Sequence, residues 1–151
     1  MADSDPEFTF DLATLNEAFR EYVPHNKALG LTLVEATGEP AIARMRLPYD
    51  ARFVGNPETG VLHGGVITTL MDATCGASVF FKLRAAVSVA TLDLRIDYLK
   101  PGLPNRDVFA RAECFKTTRN VAFVRALAFH DTPEDPIAAA AGTFMLSRVK
   151  G

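Results

Sequence analysis

The longest apolar stretch of the chain runs from Val66 to Phe81 and predicts a helix inside the protein. Its letters, VITTLMDATCGASVFF, are apolar or small on every face of a helix with 3.6 residues per turn. We therefore expect this helix to be buried on all sides. Asp72 is the one acid within it, and burying a carboxylate costs free energy unless neighbouring groups stabilise it or a function requires it.

Shorter patterns on the amino-terminal side predict a small helix and a loop. Thr14 is placed to cap a helix over Leu15 to Tyr22, and Glu17 occupies the capping-box position. Pro24 is expected to end this helix. Residues 48–62 are rich in glycine and proline and predict a loop.

Six apolar runs bounded by turn residues predict strands. We expect the first two to form a hairpin and the last four to follow one another as antiparallel strands joined by short turns. Strands, a long helix and more strands indicate an α+β fold, with the helix across one face of a strongly curved antiparallel sheet. The predicted strands cover residues 31–36, 41–47, 87–99, 108–116, 121–130 and 137–148.

The first strand after the long helix contains a break in its alternation. Apolar residues occupy the odd positions Val87 and Val89 but even positions from Leu92 onward. One inserted residue changes the phase in this way, so we predict a β-bulge near Ala90 and Thr91, although a ragged strand start explains the pattern equally well.

Composition limits the class of protein. The 151 residues fit one domain, for which we expect residues 11–151, preceded by a disordered acidic lead over residues 1–10. A net charge of −2 makes nucleic acid an unsuitable partner. No signal peptide is recognised and no apolar run reaches membrane-spanning length, so a cytoplasmic location without membrane contact is expected. Cys75 and Cys114 are isolated and are expected to be small buried side chains rather than a disulfide or metal ligands.

The residues His63, Gly64 and Gly65 immediately precede the long helix. Two glycines allow a ligand to approach the backbone, and the first amides of a helix have no partner within it. Such amides, at the positive end of the helix dipole, suit an anion or the oxyanion of a reacting carbonyl. A tight turn without function is the alternative.

Gly64 and Asp72 are eight residues apart, which is about 12 Å along a helix axis. They cannot meet at one carbonyl group. If both serve one reaction, the amide comes from one copy of the chain and the carboxylate from another, across a two-fold axis between antiparallel helices. A purely structural Asp72, hydrogen-bonded to Thr68, Thr69 or a strand residue, is the alternative.

The HGG turn, the acid nine residues after His63, and the segment TLDLRIDYLKP at residues 91–101 together resemble the hotdog-fold acyl-CoA thioesterases of the phenylacetyl-CoA (PaaI-like) type. The resemblance covers residues 31–148. It implies a hotdog fold, in which a curved antiparallel sheet of five to six strands wraps a long central helix, here with a short amino-terminal helix added. It also implies dimers or pairs of dimers with the active sites at the interface.

Carried onto this chain, the family motif makes the Gly64 amide the oxyanion donor and Asp72 of the facing subunit the nucleophile or general base. Thr91 would position water beside Asp72, and Asn56 would contact the substrate carbonyl, although it stands one residue farther from the histidine than in the shorter NPxG form of the loop. His63 belongs to the same motif, and we expect it to brace its loop by hydrogen bonds. Gly65 would line the substrate site.

The substrate implied is an acyl-CoA, so coenzyme A is part of the substrate and no cofactor or metal is implied. Lys116 and Arg119 in the KTTRN turn, with Arg84, are the candidate cations for the coenzyme's phosphates. The acyl group stays open among aryl-acetyl, hydroxybenzoyl and medium-chain fatty groups. The depth of the acyl pocket depends on side chains of the long helix, namely Met71, Cys75, Phe80 and Phe81.

Two other functions are compatible with the sequence. An acyl-thioester hydratase or dehydratase would need His63 and Asp72 to share acid and base work across subunits. A non-catalytic acyl-CoA-binding protein would need an output domain, for which we expect no spare segment. His25 and His130 are expected in surface turns or strand ends without a role.

Overall fold

A six-stranded antiparallel sheet wraps around one long helix in the computed structural model, which describes residues 11–85 and 87–148. This confirms the α+β class and the hotdog architecture that the resemblance implies. The predicted acidic lead lies outside the described residues. The helices are α1 (Leu12–Tyr22), α2 (Pro24–Leu29) and α3 (Gly64–Leu83), and the strands are β1 (Thr32–Gly38), β2 (Ala41–Leu47), β3 (Val54–Asn56), β4 (Val61–Leu62), β5 (Val87–Tyr98), β6 (Val108–Thr117), β7 (Val121–Phe129) and β8 (Ala138–Arg148).

The strand order in the main sheet is β1-β2-β6-β7-β8-β5. The predicted hairpin of β1 and β2 and the consecutive pairing of β6, β7 and β8 are confirmed. The expectation that β5 pairs with β6, the next strand in sequence, is wrong, because β5 pairs with β8 at the edge of the sheet. The predicted loop also contains regular structure, a small separate hairpin of β3 and β4.

Helix α3 packs one side against the sheet and leaves the other side open. The buried side carries most of its large apolar residues, whereas a strip on the opposite side is only half-buried or exposed. The expectation of a helix buried on all sides is therefore wrong, because small residues satisfy an apolar pattern without being covered. The open strip, which we call the α3 strip, consists of Gly65, Thr69, Asp72, Ala73, Gly76 and Phe80.

The length and composition of α3 also correct the expectation that no apolar run is long enough for a membrane. Helix α3 (Gly64–Leu83) is long enough and apolar enough to span a membrane, but half of its apolar stretch is buried inside the protein. Length and apolarity alone are weak grounds for a membrane span. The buried side of α3 packs on strands of the sheet, as the core helix of a globular domain does.

The amino-terminal helix begins earlier than the capping pattern predicts. Asp11, not Thr14, caps α1, and its carboxylate accepts hydrogen bonds from the backbone N–H groups of Ala13 and Thr14. An aspartate is at least as good a cap as a threonine, which explains the shift. Pro24 does interrupt the helix as expected, but it also starts the short helix α2, since proline suits a first helical turn.

The predicted bulge is present in β5. The register between β5 and β8 shifts between Thr91 and Asp93, so that Leu92 is the extra residue. Before the bulge the residues packed against the core are Val87 and Val89, and after it they are Leu94 and Ile96.

Candidate active site

Asp72 and Thr91 form the centre of the candidate site. Asp72 lies half-buried on the α3 strip, and Thr91 lies on β5 just before the bulge. The Thr91 hydroxyl donates a 2.7 Å hydrogen bond to the Asp72 carboxylate. The two residues predicted to work together are thus in contact. In the part of the chain that the structure describes, no salt bridge joins Asp72 to a cation.

His63 is the N-cap residue of α3. Its Nδ1 accepts a 2.8 Å hydrogen bond from the Gly65 backbone N–H, so this nitrogen carries no proton. A Cβ added at Gly65 would lie 2.9 Å from that same nitrogen, which explains why a glycine stands there. The expected bracing by His63 is present, and it occupies the Gly65 amide.

The Gly64 amide is left available at the start of α3. The hydrogen bonds among residues 11–85 and 87–148 give it no acceptor. On its carbonyl side, Gly64 accepts a 2.9 Å hydrogen bond from the Tyr98 hydroxyl, and the same hydroxyl contacts the Thr68 side chain. Tyr98 was missed from the sequence because a tyrosine near the end of a strand carries no motif of its own. It fixes the first turn of α3 against β5.

Asn56 is the last residue of β3, where the turn to β4 begins. Its side-chain oxygen accepts the Glu58 backbone N–H at 3.0 Å, which is the usual behaviour of an asparagine that opens a turn. The hairpin is held near the start of α3 by the His63 N–H, which donates to the Phe53 carbonyl at 2.8 Å. Within the described residues, the hydrogen bonds of the Asn56 side chain lead to this turn and not to Gly64 or Asp72.

Two of the three candidate phosphate-binding cations, Arg84 and Arg119, lie at the far end of α3. Arg84 caps its carboxyl end, and Arg119 lines a surface cavity near it together with Arg148. Lys116 is exposed at a bulge of β6. Twelve residues separate Arg84 from Asp72, about 18 Å along the helix. The structure does not bring these cations to the amino end of α3.

A groove with a volume of about 820 Å³ contains Asp72 and Thr91. Its floor is the α3 strip from Thr69 to Phe80, one wall is the start of β5, and the other is formed by α1 and α2. A smaller cavity of about 360 Å³ at the amino end of α3 adjoins it through His25 and Thr69, and Arg52 and His63 line that cavity. His25 lies within 3.4 Å of the Thr69 hydroxyl. No motif in the sequence indicates that α1 and α2 form a wall of the site.

Four side chains are expected to set the depth of the acyl pocket, and one of them faces the groove. Phe80 lines the groove, whereas Met71, Cys75 and Phe81 are fully buried on the other side of α3. Burial, followed by the nearby charge of Asp72, raises the pKa of the Cys75 thiol to about 12. Such a thiol stays protonated and unreactive. As expected, Cys75 and Cys114 are free and buried.

Comparison with known proteins gives a consistent result. The model of the thioesterase superfamily matches residues 59–137, a segment that contains the HGG turn, Asp72 and Thr91. A medium/long-chain acyl-CoA thioesterase, YigI, of Salmonella typhimurium is 32% identical over 148 residues, covering 89% of this chain and 93% of the relative. The YigI protein of Escherichia coli is 30% identical over the same coverage.

Solved structures share the fold. A protein from Pseudomonas aeruginosa is 45% identical with a TM-score of 0.78, and the match covers 89% of this chain and 98% of that one. A thioesterase from Haemophilus influenzae, 24% identical, superposes over 96% of both chains with a TM-score of 0.81. A variant of the phenylacetic acid degradation protein PaaI from Thermus thermophilus is 25% identical, with a TM-score of 0.70 over 83% of this chain and 99% of that one.

Proposed function

This chain belongs to the thioesterase superfamily, and from that premise we propose that it hydrolyses acyl-CoA thioesters with Asp72 as the acid–base or nucleophilic group and the Gly64 amide as the oxyanion donor. The observation that carries the proposal is the 2.7 Å hydrogen bond from Thr91 to Asp72 on the floor of a groove. A hydroxyl that holds one carboxylate oxygen leaves the other oxygen free to act on water or on the substrate.

The proposal requires two copies of the chain. Gly64 and Asp72 lie on the same helix, about 12 Å apart, so a single chain cannot apply both to one carbonyl. A second copy related by a two-fold axis, with its α3 antiparallel, brings its Gly64 to the first copy's Asp72.

The sheet edge supports this arrangement. No other described strand pairs with the outer edge of β5, a twelve-residue strand whose Leu92 and Tyr98 are about half exposed. Long unpaired apolar edges of this kind favour pairing with another chain. Thr91 on β5 contacts Asp72, and Tyr98 on β5 contacts Gly64. A two-fold axis near the middle of β5 therefore sets the Asp72 end of one copy beside the Gly64 end of the other.

The chemistry follows from these positions. The thioester carbonyl accepts a hydrogen bond from the Gly64 N–H, and Asp72 takes a proton from a water molecule whose oxygen attacks the carbonyl carbon. The resulting oxyanion is stabilised by the same N–H and by the dipole of α3. The intermediate collapses, the carbon–sulfur bond breaks, and the thiolate of coenzyme A takes the proton from Asp72. In the alternative route Asp72 attacks the carbon, the carbon–sulfur bond breaks and releases coenzyme A as its thiolate, and water then hydrolyses the acyl anhydride.

Single turnover in 18O-labelled water tests the anhydride route. Transfer of label into the Asp72 carboxylate supports the anhydride, since water labels Asp72 only by attacking the aspartyl carbon. Label found only in the released acid excludes that attack and favours water activation.

For the acyl group we propose a medium or long fatty chain. The YigI relatives are named as medium/long-chain acyl-CoA thioesterases. The groove that contains Asp72 is elongated along α3, which suits a chain better than a single aromatic ring.

For the coenzyme's phosphates, Arg52 is a better-placed candidate than Arg84, Lys116 or Arg119, because it lines the cavity at the amino end of α3. All four remain candidates. Replacing each with glutamine and comparing KM for one acyl-CoA ranks them, since loss of a phosphate contact raises KM with little change in kcat.

A pair of variants tests the oxyanion donor. Gly64→Pro removes the N–H at the first position of α3, where proline is well tolerated, and the extended backbone of His63 (φ −63°, ψ 134°) suits a residue before proline. Gly64→Ala keeps the N–H and adds a comparable Cβ, 3.3 Å from the Tyr98 ring. We expect kcat for acyl-CoA to be roughly 100-fold lower in the proline variant than in the alanine variant. Equal rates would exclude the amide.

Asp72→Asn tests the acid and, with Gly64→Pro, the dimer. We expect Asp72→Asn to abolish measurable thiol release. Mixed dimers of the two inactive chains contain one intact and one doubly defective site, so equal mixing after unfolding and refolding restores about a quarter of wild-type activity. No recovery in refolded mixtures would refute a site shared between two copies, and unchanged turnover by Asp72→Asn would remove the acid from the mechanism.

The rival functions have less support. A hydratase would use His63 as an acid or base, but its Nδ1 is engaged in capping α3. The relatives are named as enzymes, which argues against a non-catalytic binding protein. A dimer, or a pair of dimers, working in the cytoplasm without membrane contact completes the proposal.

A further inference from the structure

The groove beside Asp72 has a shape that selects its occupant. We propose that the acyl chain of the substrate lies along the α3 strip beneath α1, and that the aromatic cluster of Phe19, Phe80 and Phe81 ends this channel and sets the preferred chain length. The inference rests on the proposed function, since it starts at the Asp72 carboxylate and names the substrate class that the same site takes.

The floor of the channel is kept low by small side chains. Ala73, Gly76 and Ala77 line the groove after Asp72, at successive turns of α3. Apart from the helix's own backbone, no described residue comes within 4 Å of a Cβ built on Gly76. A glycine inside a helix costs about 1 kcal/mol relative to alanine. Packing within one copy of the chain does not explain this glycine, because the space beside it is open, whereas a ligand passing over the helix does.

The roof of the channel is α1. Leu15, Ala18, Phe19 and Tyr22 line the groove, a spacing of three and four residues that puts them on one face of a helix. None of the residues of α1 is buried. An apolar helix face that covers an open groove without filling it leaves room for an apolar ligand.

Polar contacts hold α1 on a side of the helix that does not line the groove. The Asn16 side chain donates to the Leu33 carbonyl at 2.9 Å and accepts the Leu33 N–H at 2.7 Å. These two bonds fasten α1 to β1, the edge strand on the other side of the sheet from β5. The roof is therefore anchored independently of α3.

One end of the channel is closed by aromatic rings. Phe19 of α1 meets Phe80 and Phe81 of α3 edge to face, with ring centroids 6.3 Å and 6.5 Å apart. Phe80 and Phe81 are themselves 5.7 Å apart. Phe81 is fully buried, so the closure is fixed to the core, while Phe80 is 38% exposed and forms the surface that a chain end would meet.

The length of the channel predicts the chain. Asp72 and Phe80 are eight residues apart, about 12 Å along the helix axis. An extended alkyl chain advances about 1.25 Å per carbon, given carbon–carbon bonds of about 1.5 Å, so the channel holds about ten carbons. The opposite end opens past His25 and Thr69 toward the cavity lined by Arg52, which leaves that direction for coenzyme A.

A matched pair of substitutions on α1 tests the roof. Ala18→Leu adds bulk inside the groove, whereas Ala13→Leu adds the same bulk to the side of α1 that faces a different surface cavity. Thiol release is measured for butyryl-, octanoyl-, decanoyl- and palmitoyl-CoA. We expect Ala18→Leu to lower the ratio of kcat/KM for decanoyl-CoA to that for butyryl-CoA roughly tenfold or more, and Ala13→Leu to leave the ratio unchanged.

The reciprocal variant opens the closed end. Phe80→Ala removes the exposed ring of the cluster, and we expect the chain length with the highest kcat/KM to move from about ten carbons to longer chains, by roughly the length of the lost ring. Melting curves of all three variants show whether each is folded, and a folded Ala18→Leu protein is sufficient for the test if Phe80→Ala is unstable.

The outcomes separate the two proposals. Chain-length profiles that stay the same in folded Ala18→Leu and Phe80→Ala proteins overturn the channel while the thioesterase function stands. Absence of thiol release from every acyl-CoA in the wild-type protein instead overturns the proposed function, and the channel with it.

Discussion

Gly76 offers a prediction in which stability and activity move in opposite directions. The change is Gly76→Ala, which adds one methyl group to the interior of α3. The methyl has no described neighbour within 4 Å beyond the helix backbone, so no clash opposes it. Replacing glycine by alanine inside a helix should then raise the free energy of unfolding by about 0.8–1 kcal/mol.

For a domain of this size, that gain corresponds to a melting temperature about 2–4 °C higher. The same methyl group occupies part of the channel about 6 Å beyond Asp72, measured along the helix axis. A single misplaced methyl group in a hydrophobic pocket changes specificity by about tenfold. We therefore expect kcat/KM for decanoyl-CoA to fall by about that factor in a protein that has become more stable.

Differential scanning calorimetry and acyl-CoA kinetics on the same preparation test both parts. Destabilisation by alanine would mean that the space beside Gly76 is not open in solution. Stabilisation with unchanged decanoyl-CoA kinetics would mean that the space is open but unused by the substrate. Because stability rises in the expected case, a fall in activity cannot be attributed to unfolding.

Three further outcomes follow from single contacts. Asn16→Leu removes both bonds to the Leu33 backbone and should lower the free energy of unfolding by about 2 kcal/mol, measured by urea denaturation; an unchanged midpoint would show that α1 is anchored elsewhere. Thr91→Val, which keeps the shape but removes the hydroxyl, should lower kcat by roughly ten- to a hundredfold with Thr91→Ser close to wild type, and equal rates in all three would exclude a positioning role. The Tyr49 backbone N–H, followed by the Arg46 side chain, lowers the pKa of Asp107, so its contribution to stability is present above about pH 4 and lost on acidification. Asp107→Asn should accordingly reduce the urea midpoint at pH 7 and much less at pH 3; an equal loss at both pH values would contradict the pKa shift.

Local patterns predicted the parts of the fold that depend on neighbours in sequence. The long helix, the hairpin before it and the antiparallel strands after it were visible because side-chain period and turn residues act over short distances. The position of β5 at the edge was not predictable in this way. Its pairing with β8 depends on contacts between segments about fifty residues apart, and nothing in either strand alone states its partner.

The candidate site shows the same limit. Asp72 and Thr91 were singled out, and they meet in the structure. Tyr98 and the roof residues of α1 were not, because their importance comes from what they face rather than from their type. The exposure of the α3 strip was also missed, since an alanine or a glycine satisfies an apolar pattern whether it is packed or bare. Sequence reports the chemistry of a position but not the empty space beside it.

The extra residue in β5 lets one strand contact α3 at two places. In an uninterrupted strand, residues separated by an odd number of positions point to opposite faces. Thr91 and Tyr98 are seven positions apart, yet both reach α3, one at Asp72 and the other at Gly64. Leu92 is the extra residue between them, and it shifts the alternation of the strand so that both side chains point to the same face. Deleting Leu92 would leave a more regular strand in which either Asp72 or Gly64 loses its hydroxyl partner, so the irregularity is what allows one strand to contact α3 at both residues.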